Sequence, residues 1–187
     1  MTGRAGRPLL FLDVDGPLIP FGAPPGSYPT FHESSGPVAV AGNPLLARLD
    51  PAHGPRLAAL GCELVWATSW LAEANACVAP LLGLPPLTVV EWPEASEQDE
   101  RDERDGLHWK TRALVGWAAG RAFVWVDDEI TAADRAWVAT HHPGPALLHR
   151  VAARLGLTSD DYTRISAWLR KRPGAAGWGG AGQHALS

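Results

Sequence analysis

Asp13 and Asp15 flank Val14 and precede Gly16 at the end of an apolar run. Both carboxylates can serve one pocket only if the chain leaves extended geometry between them, and Gly16 permits that break. Carboxylates so placed can act as nucleophile, metal ligand or general acid–base. Taken alone, the pattern also fits an Asp-capped turn. Three further polar positions follow in order, namely Thr68, Lys110 and the pair Asp127-Asp128. Each has an ordinary structural role in isolation: Thr68 as a strand-end residue or helix N-cap, Lys110 as a solvated helix residue, Asp127-Asp128 as a cap for a helix near Thr131. Lys110 stands out because it and Lys171 are the only lysines among sixteen basic residues.

The elements that must position these residues are legible in the hydrophobic pattern. Pro8–Leu12 runs into Asp13, Cys62–Ala67 into Thr68, and Ala122–Val126 into Asp127, and each reads as a buried strand. Leu87–Val90 and the short Ala146–Leu148 are expected to be further strands. Helical patterns lie between them at Pro55–Leu60, Trp70–Leu82, His108–Ala119, Thr131–Thr140 and Thr158–Lys171. Thr158 with Asp161 resembles a capping box, and Ile165, Trp168 and Leu169 recur at helical spacing. The alternation predicts an α/β protein: a three-layer α/β/α sandwich around a mainly parallel five-stranded sheet. In such sheets ligands bind outside the carboxyl ends of the strands, where the four polar positions fall.

One catalytic domain is expected over 1–172, followed by a flexible Gly/Ala-rich tail at 173–187. Two segments resist regular assignment. Residues 16–50, rich in Pro and Gly and carrying Tyr28, Phe31, His32 and Glu33, read as a small flap; 93–105 reads as an acidic loop. Neither is long enough for a large cap domain. Residues 94–105 hold seven acidic and two basic residues, so this stretch carries −5 in a chain whose formal net charge is −4. Such a charge balance disfavours nucleic acid or an anionic membrane as a partner.

Cys62 and Cys77 lack metal-ligand or disulfide-framework spacing and suit a reducing cytoplasm. The apolar stretch at 8–12 is too short for a signal-peptide core, and no stretch approaches a membrane span. His141, His142, His149 and His184 show no zinc spacing and are expected at the surface or at caps. Of the nine tryptophans, Trp66, Trp125 and Trp168 are expected to pack in the core, while Trp70 and Trp109 neighbour Thr68 and Lys110 and could stack on a base or sugar.

In the order Leu12-Asp13-Val14-Asp15-Gly16, Val65-Trp66-Ala67-Thr68, Lys110 and Val126-Asp127-Asp128, the chain resembles the haloacid dehalogenase (HAD) superfamily of hydrolases, over roughly Leu9 to Glu129. Trp66-Ala67-Thr68-Ser69-Trp70 and Trp125-Val126-Asp127-Asp128-Glu129 resemble a bacterial branch related to the HAD domain of RNA-repair proteins. The resemblance implies a Rossmann-like fold and a magnesium-dependent phosphatase. Its roles map residue by residue: Asp13 as covalent nucleophile, Asp15 as acid–base, Thr68 and Lys110 as phosphate and charge ligands. Gly16, Ser69 and Trp70 would adjoin the substrate. Mg²⁺ would be held by Asp13, the Asp15 carbonyl and the Asp127-Asp128 pair. Oxygen-only ligands suit that ion. Pro17 departs from the small residue usual after the glycine.

The expected substrate is a small phosphorylated metabolite or nucleoside monophosphate. A nucleic-acid end phosphatase of repair type ranks second, and a catalytically silent binding module is the alternative of another class. Oligomeric state is left open.

Overall fold

The computed structural model describes residues 6–24, 26–31, 43–94 and 96–171. His32, Glu33 and the tail at 173–187 therefore lie outside the described residues.

Five strands form one all-parallel sheet: β1 (Leu9–Leu12), β2 (Glu63–Trp66), β3 (Thr88–Val89), β4 (Phe123–Asp127) and β5 (Ala146–Arg150), in the order β3-β2-β1-β4-β5. Every residue of β1 and β4 is buried, as expected for central strands covered on both faces. Leu12 pairs with Trp66 on one side and Val126 on the other. This register brings the carboxyl ends of β1, β2 and β4 level, so Asp13, Thr68 and Asp127 leave the sheet beside one another.

Side-chain alternation splits the core into two layers. Leu10, Leu12, Trp66, Val124 and Val126 face one way, against α1 (His53–Ala58), α2 (Ala79–Leu82) and α6 (Ser159–Arg170). Phe11, Val65, Phe123 and Trp125 face the other, against α4 (Lys110–Ala118) and α5 (Ala132–His141). The fold is therefore the Rossmann-like α/β/α sandwich expected. Gly54 lets α1 lie close on α2, since a Cβ there would fall 1.7 Å from the Leu82 carbonyl oxygen. Thr131–Asp134 and Thr158–Asp161 form capping boxes at the starts of α5 and α6.

Several expectations need correction. The helix expected over Trp70–Leu82 begins later: Trp70 lies in a turn, Leu71 takes φ +49°, and Ala74–Val78 is a π turn before α2. Pro80 lacks the N–H that an uninterrupted α-helix would use, and upstream the Ala79 N–H bonds Ala74 five residues back. Asn75 secures this turn, accepting from the Trp66 indole at 2.9 Å and bonding Leu87 through its carbonyl oxygen and its amide. The strand expected over Leu87–Val90 shrinks to Thr88–Val89, whereas β5 extends to Arg150.

The acidic stretch expected as a loop contains a helix, α3 (Glu97–Arg104), opened by a Ser96–Asp99 capping box. Asp102 is buried against Arg112 of α4, whose guanidinium holds its carboxyl below the usual range. Of the histidines expected at the surface, His142 and His149 are buried, bonding the Arg121 carbonyl and Asp161 respectively. The described part of 16–50 sends Leu18, Ile19, Leu46 and Leu49 into the core, and it hydrogen-bonds the β5–α6 loop through Phe21 to Ala153 and Pro17 to Leu157.

Candidate active site

After β1 the chain turns at once. Asp13 N–H still donates to Val126 across the sheet, and the Val14 carbonyl then accepts from both Leu18 and Ile19. Gly16 sits at φ +83°, with its α-carbon so close to Asp128 that a Cβ would fall 2.4 Å from Oδ1. The turn presses the two acidic strand ends together and leaves the Asp15 carbonyl without a hydrogen-bond donor among the described residues.

Lys110, first residue of α4, is buried between the strand ends. Its Nζ lies 2.8 Å from Asp13 Oδ2 and 2.8 Å from Asp127 Oδ2. Asp127 is fixed further by the Trp125 indole at 3.2 Å and the Glu129 N–H at 2.9 Å, and Asp13 by the Val14 N–H at 2.8 Å. Burial pushes the Asp13 carboxyl up to about 7, the Lys110 charge opposing and the Asp127 charge adding to the rise. Burial would pull Lys110 down, but Asp13 and Asp127 outweigh it and hold the ammonium above its usual value. Asp128 is raised as well, by burial first and then by Asp127.

The arrangement fits a hard dication. Carboxylate oxygens of Asp13, Asp127 and Asp128 lie within 4.8 Å of one another, the donors are all oxygen, and three carboxylates share a single ammonium. His108, Asp127 and Glu129 form a second group whose ligand atoms are equally close, with His108 Nε2 3.0 Å from Glu129 Oε2. Its mixed nitrogen and oxygen set is less suited to Mg²⁺.

Thr68 is wholly buried at the end of β2; its Oγ1 accepts from the Trp70 N–H at 3.3 Å, and its hydroxyl proton has no acceptor among the described residues. The Trp70 indole donates to Asp15 Oδ2 at 2.9 Å. Ser69 is exposed on the same turn. Trp109 is 45% exposed beside Lys110, whose Nζ lies 5.5 Å from the ring centroid, and it meets Trp92 edge-on at 4.7 Å.

Thus Asp13, Lys110, Asp127 and Asp128 converge, while Asp15 and Thr68 are joined to each other through Trp70. Sequence reasoning passed over Trp92, whose indole donates to the Thr68 carbonyl at 3.0 Å, and Arg150, whose Nε donates to the Asp128 carbonyl at 2.8 Å. It also passed over the partners His108 and Glu129. Proximity to Lys110 and to Asp128 was the available signal for those two; Trp92 and Arg150 carried none, because only the β-sheet register brings them near.

No curated protein and no solved structure gives a significant match. A family model described as the HAD domain in Swiss Army Knife RNA repair proteins matches residues 9–162, from the first residue of β1 into α6. That span takes in all five strands and every residue of the acidic cluster, and the chain belongs to this HAD-domain family.

Proposed function

We propose that the chain is a Mg²⁺-dependent phosphomonoesterase that works through a phosphoaspartyl intermediate on Asp13. Membership in the HAD family supports a phosphatase-like hydrolase, and one observation carries the finer reading: Lys110 bridges Asp13 and Asp127 at 2.8 Å each within a cluster of three carboxylates. Mg²⁺ held by Asp13, Asp127, Asp128 and the Asp15 carbonyl would supply the positive charge that keeps Asp13 ionised and screens it from an incoming phosphate.

Asp13 then attacks phosphorus along the line of the departing oxygen, and Lys110 and the Thr68 hydroxyl offset charge on the phosphoryl oxygens. Asp15, aimed by the Trp70 indole, gives its proton to the leaving oxygen and takes one back from the water that cleaves the acyl phosphate. A peptide containing phospho-Asp13, trapped by acid quench and read by mass spectrometry, is the expected result. Asp13→Asn should lose both the adduct and turnover. Undiminished turnover in that variant would end the proposal.

A small phosphorylated metabolite or nucleoside monophosphate needs no surface beyond this site. The second reading is a terminal phosphate on a nucleic acid, favoured by the family's description as belonging to RNA repair proteins. The acidic stretch argues less against it than its charge suggests, because Asp99 and Asp102 are consumed in the α3 cap and the Arg112 pair.

A further inference from the structure

β5 is an edge strand, and beside it runs a groove of about 490 Å³. Arg135 of α5, Arg150 of β5, and Arg164 and Lys171 of the α6 segment all line it, and among the described residues no carboxylate does. All four cations are exposed, and none forms an ion pair among the described residues. Arg112 and Arg121, by contrast, are each matched to a carboxylate. Four unmatched positive charges on one groove are unexpected in a chain of net charge −4.

The groove borders the acidic cluster at Arg150, which lines the one and bonds the other. Arg150 pairs in register with Asp127, and its Nε bonds the Asp128 carbonyl. Two strand spacings, about 10 Å, separate it from the line of β1. The His149–Asp161 bond sets the first turn of α6 beside the carboxyl end of β5. Arg164, Trp168 and Lys171, at helical spacings of four and three, therefore descend along the edge strand away from the site. Arg164 to Lys171 covers about 10 Å, roughly three nucleotides at a stacked rise of about 3.4 Å. Arg135 covers the Leu148 carbonyl and so protects the strand edge, and Arg150 is engaged by the Asp128 carbonyl, which accounts for two of the four cations and leaves Arg164 and Lys171.

We infer that this groove is the track for a single-stranded nucleic acid whose terminal phosphate reaches Asp13. The second half of that statement rests on the phosphatase reading above; the first does not. Spaced cations along a partly buried aromatic are what a sugar-phosphate backbone with stacked bases would use.

The test is fluorescence anisotropy with a labelled 12-nucleotide single-stranded RNA lacking a terminal phosphate, alongside hydrolysis of p-nitrophenyl phosphate. The doubly reversed variant Arg164→Glu/Lys171→Glu should bind at least about tenfold more weakly near 0.1 M salt. Its slope of log affinity against log salt should be shallower by about 1.4, two phosphate contacts' worth. Its circular dichroism and its turnover of p-nitrophenyl phosphate should match the wild type.

Equal RNA binding by the variant would overturn the inference while leaving the phosphatase reading intact. Loss of binding by the variant, with no phosphomonoesterase activity even in the wild type, would uphold the track and sink the phosphatase. Two other outcomes would also overturn it: a poly-glutamate peptide binding as tightly as the RNA, or a wild-type dimer that the substitutions dissolve without changing RNA affinity.

Discussion

At the scale of single residues, two positions separate the chemistry of the site from its shape. The Trp70 indole bonds the proposed acid–base while its backbone N–H, kept in any substitution, serves Thr68, so Trp70→Phe should slow alkyl phosphates about tenfold or more in kcat, the worth of one hydrogen bond to a charged group. The pre-steady-state burst of p-nitrophenolate, a leaving group that departs without a proton and before the Asp15-assisted hydrolysis of the acyl phosphate, should keep nearly the wild-type rate. A burst slowed as much as the alkyl phosphates would mean that Trp70 holds the turn rather than Asp15. Gly16→Ala acts differently, because the added methyl combines a φ of +83° with a contact inside Asp128. Initial rates across a Mg²⁺ titration should show apparent affinity for the ion falling about 10–100-fold, with Asp13 untouched. Asp13 and the Asp127-Asp128 pair are legible in the sequence because they stand at strand ends, where an apolar run stops at a polar residue, and Lys110 because it is one of only two lysines. The sequence places Trp70 beside Thr68, where it would adjoin the substrate or stack on a base or sugar. Its indole bond to Asp15 depends on a left-handed Leu71 that no pattern of residue types announces.

Among the elements, strands were easier to read than the helices between them. Buried parallel strands are unbroken apolar runs, and β1, β2 and β4 are such runs. α3 was hidden because its sequence, Glu97–Arg104, has no apolar face; what holds it is the Ser96–Asp99 box and the Asp102–Arg112 pair, both side-chain geometry. The contact between α1 and α6 was equally invisible. There His53 Nδ1 lies 2.9 Å from the Tyr162 hydroxyl, with Asp50 and Arg56 as the charged groups beside it. Burial lowers the His53 pKa first of all, Arg56 lowers it further, and Asp50 opposes them. The folded protein therefore holds His53 neutral where the unfolded chain, titrating near 6.5, takes up a proton. Stability from this contact is complete above that value and is lost as pH falls through it toward the lower folded value. Between pH 7.5 and pH 5.5 the wild-type Tm should drop a few degrees further than that of His53→Gln. Parallel Tm profiles for the two proteins would refute the assignment.

For the molecule as a whole, a net charge of −4 says little until the charges are placed. The sequence alone set the acidic stretch against any polyanion, since charge can be counted without knowing where it goes. In the fold α5 stands between the two signs. Ala133, Ala136, Trp137 and Thr140 border a hollow shared with Asp102 and Asp105, while Arg135 turns to the basic groove. The remaining negative concentration is the buried pair Asp13 and Asp127 with half-buried Asp128, and among the described residues Lys110 alone ion-pairs with it. A cluster of that kind should respond to a bound dication and hardly at all to ionic strength, because buried charges lie beyond effective screening. Mg²⁺ at a hundred times its dissociation constant should stabilise the fold by about 2.7 kcal/mol, a rise in Tm of roughly 5–10 °C for a chain of this size. Sodium chloride near 0.15 M should not reproduce the rise, Asp128→Asn should diminish it, and chelation should reverse it together with turnover. Calorimetric scans of the two proteins in Mg²⁺, in salt and in chelator make the comparison. A rise that salt matches, or that Asp128→Asn retains in full, would place the ion on the exposed acids of α3 and deny it to the strand ends.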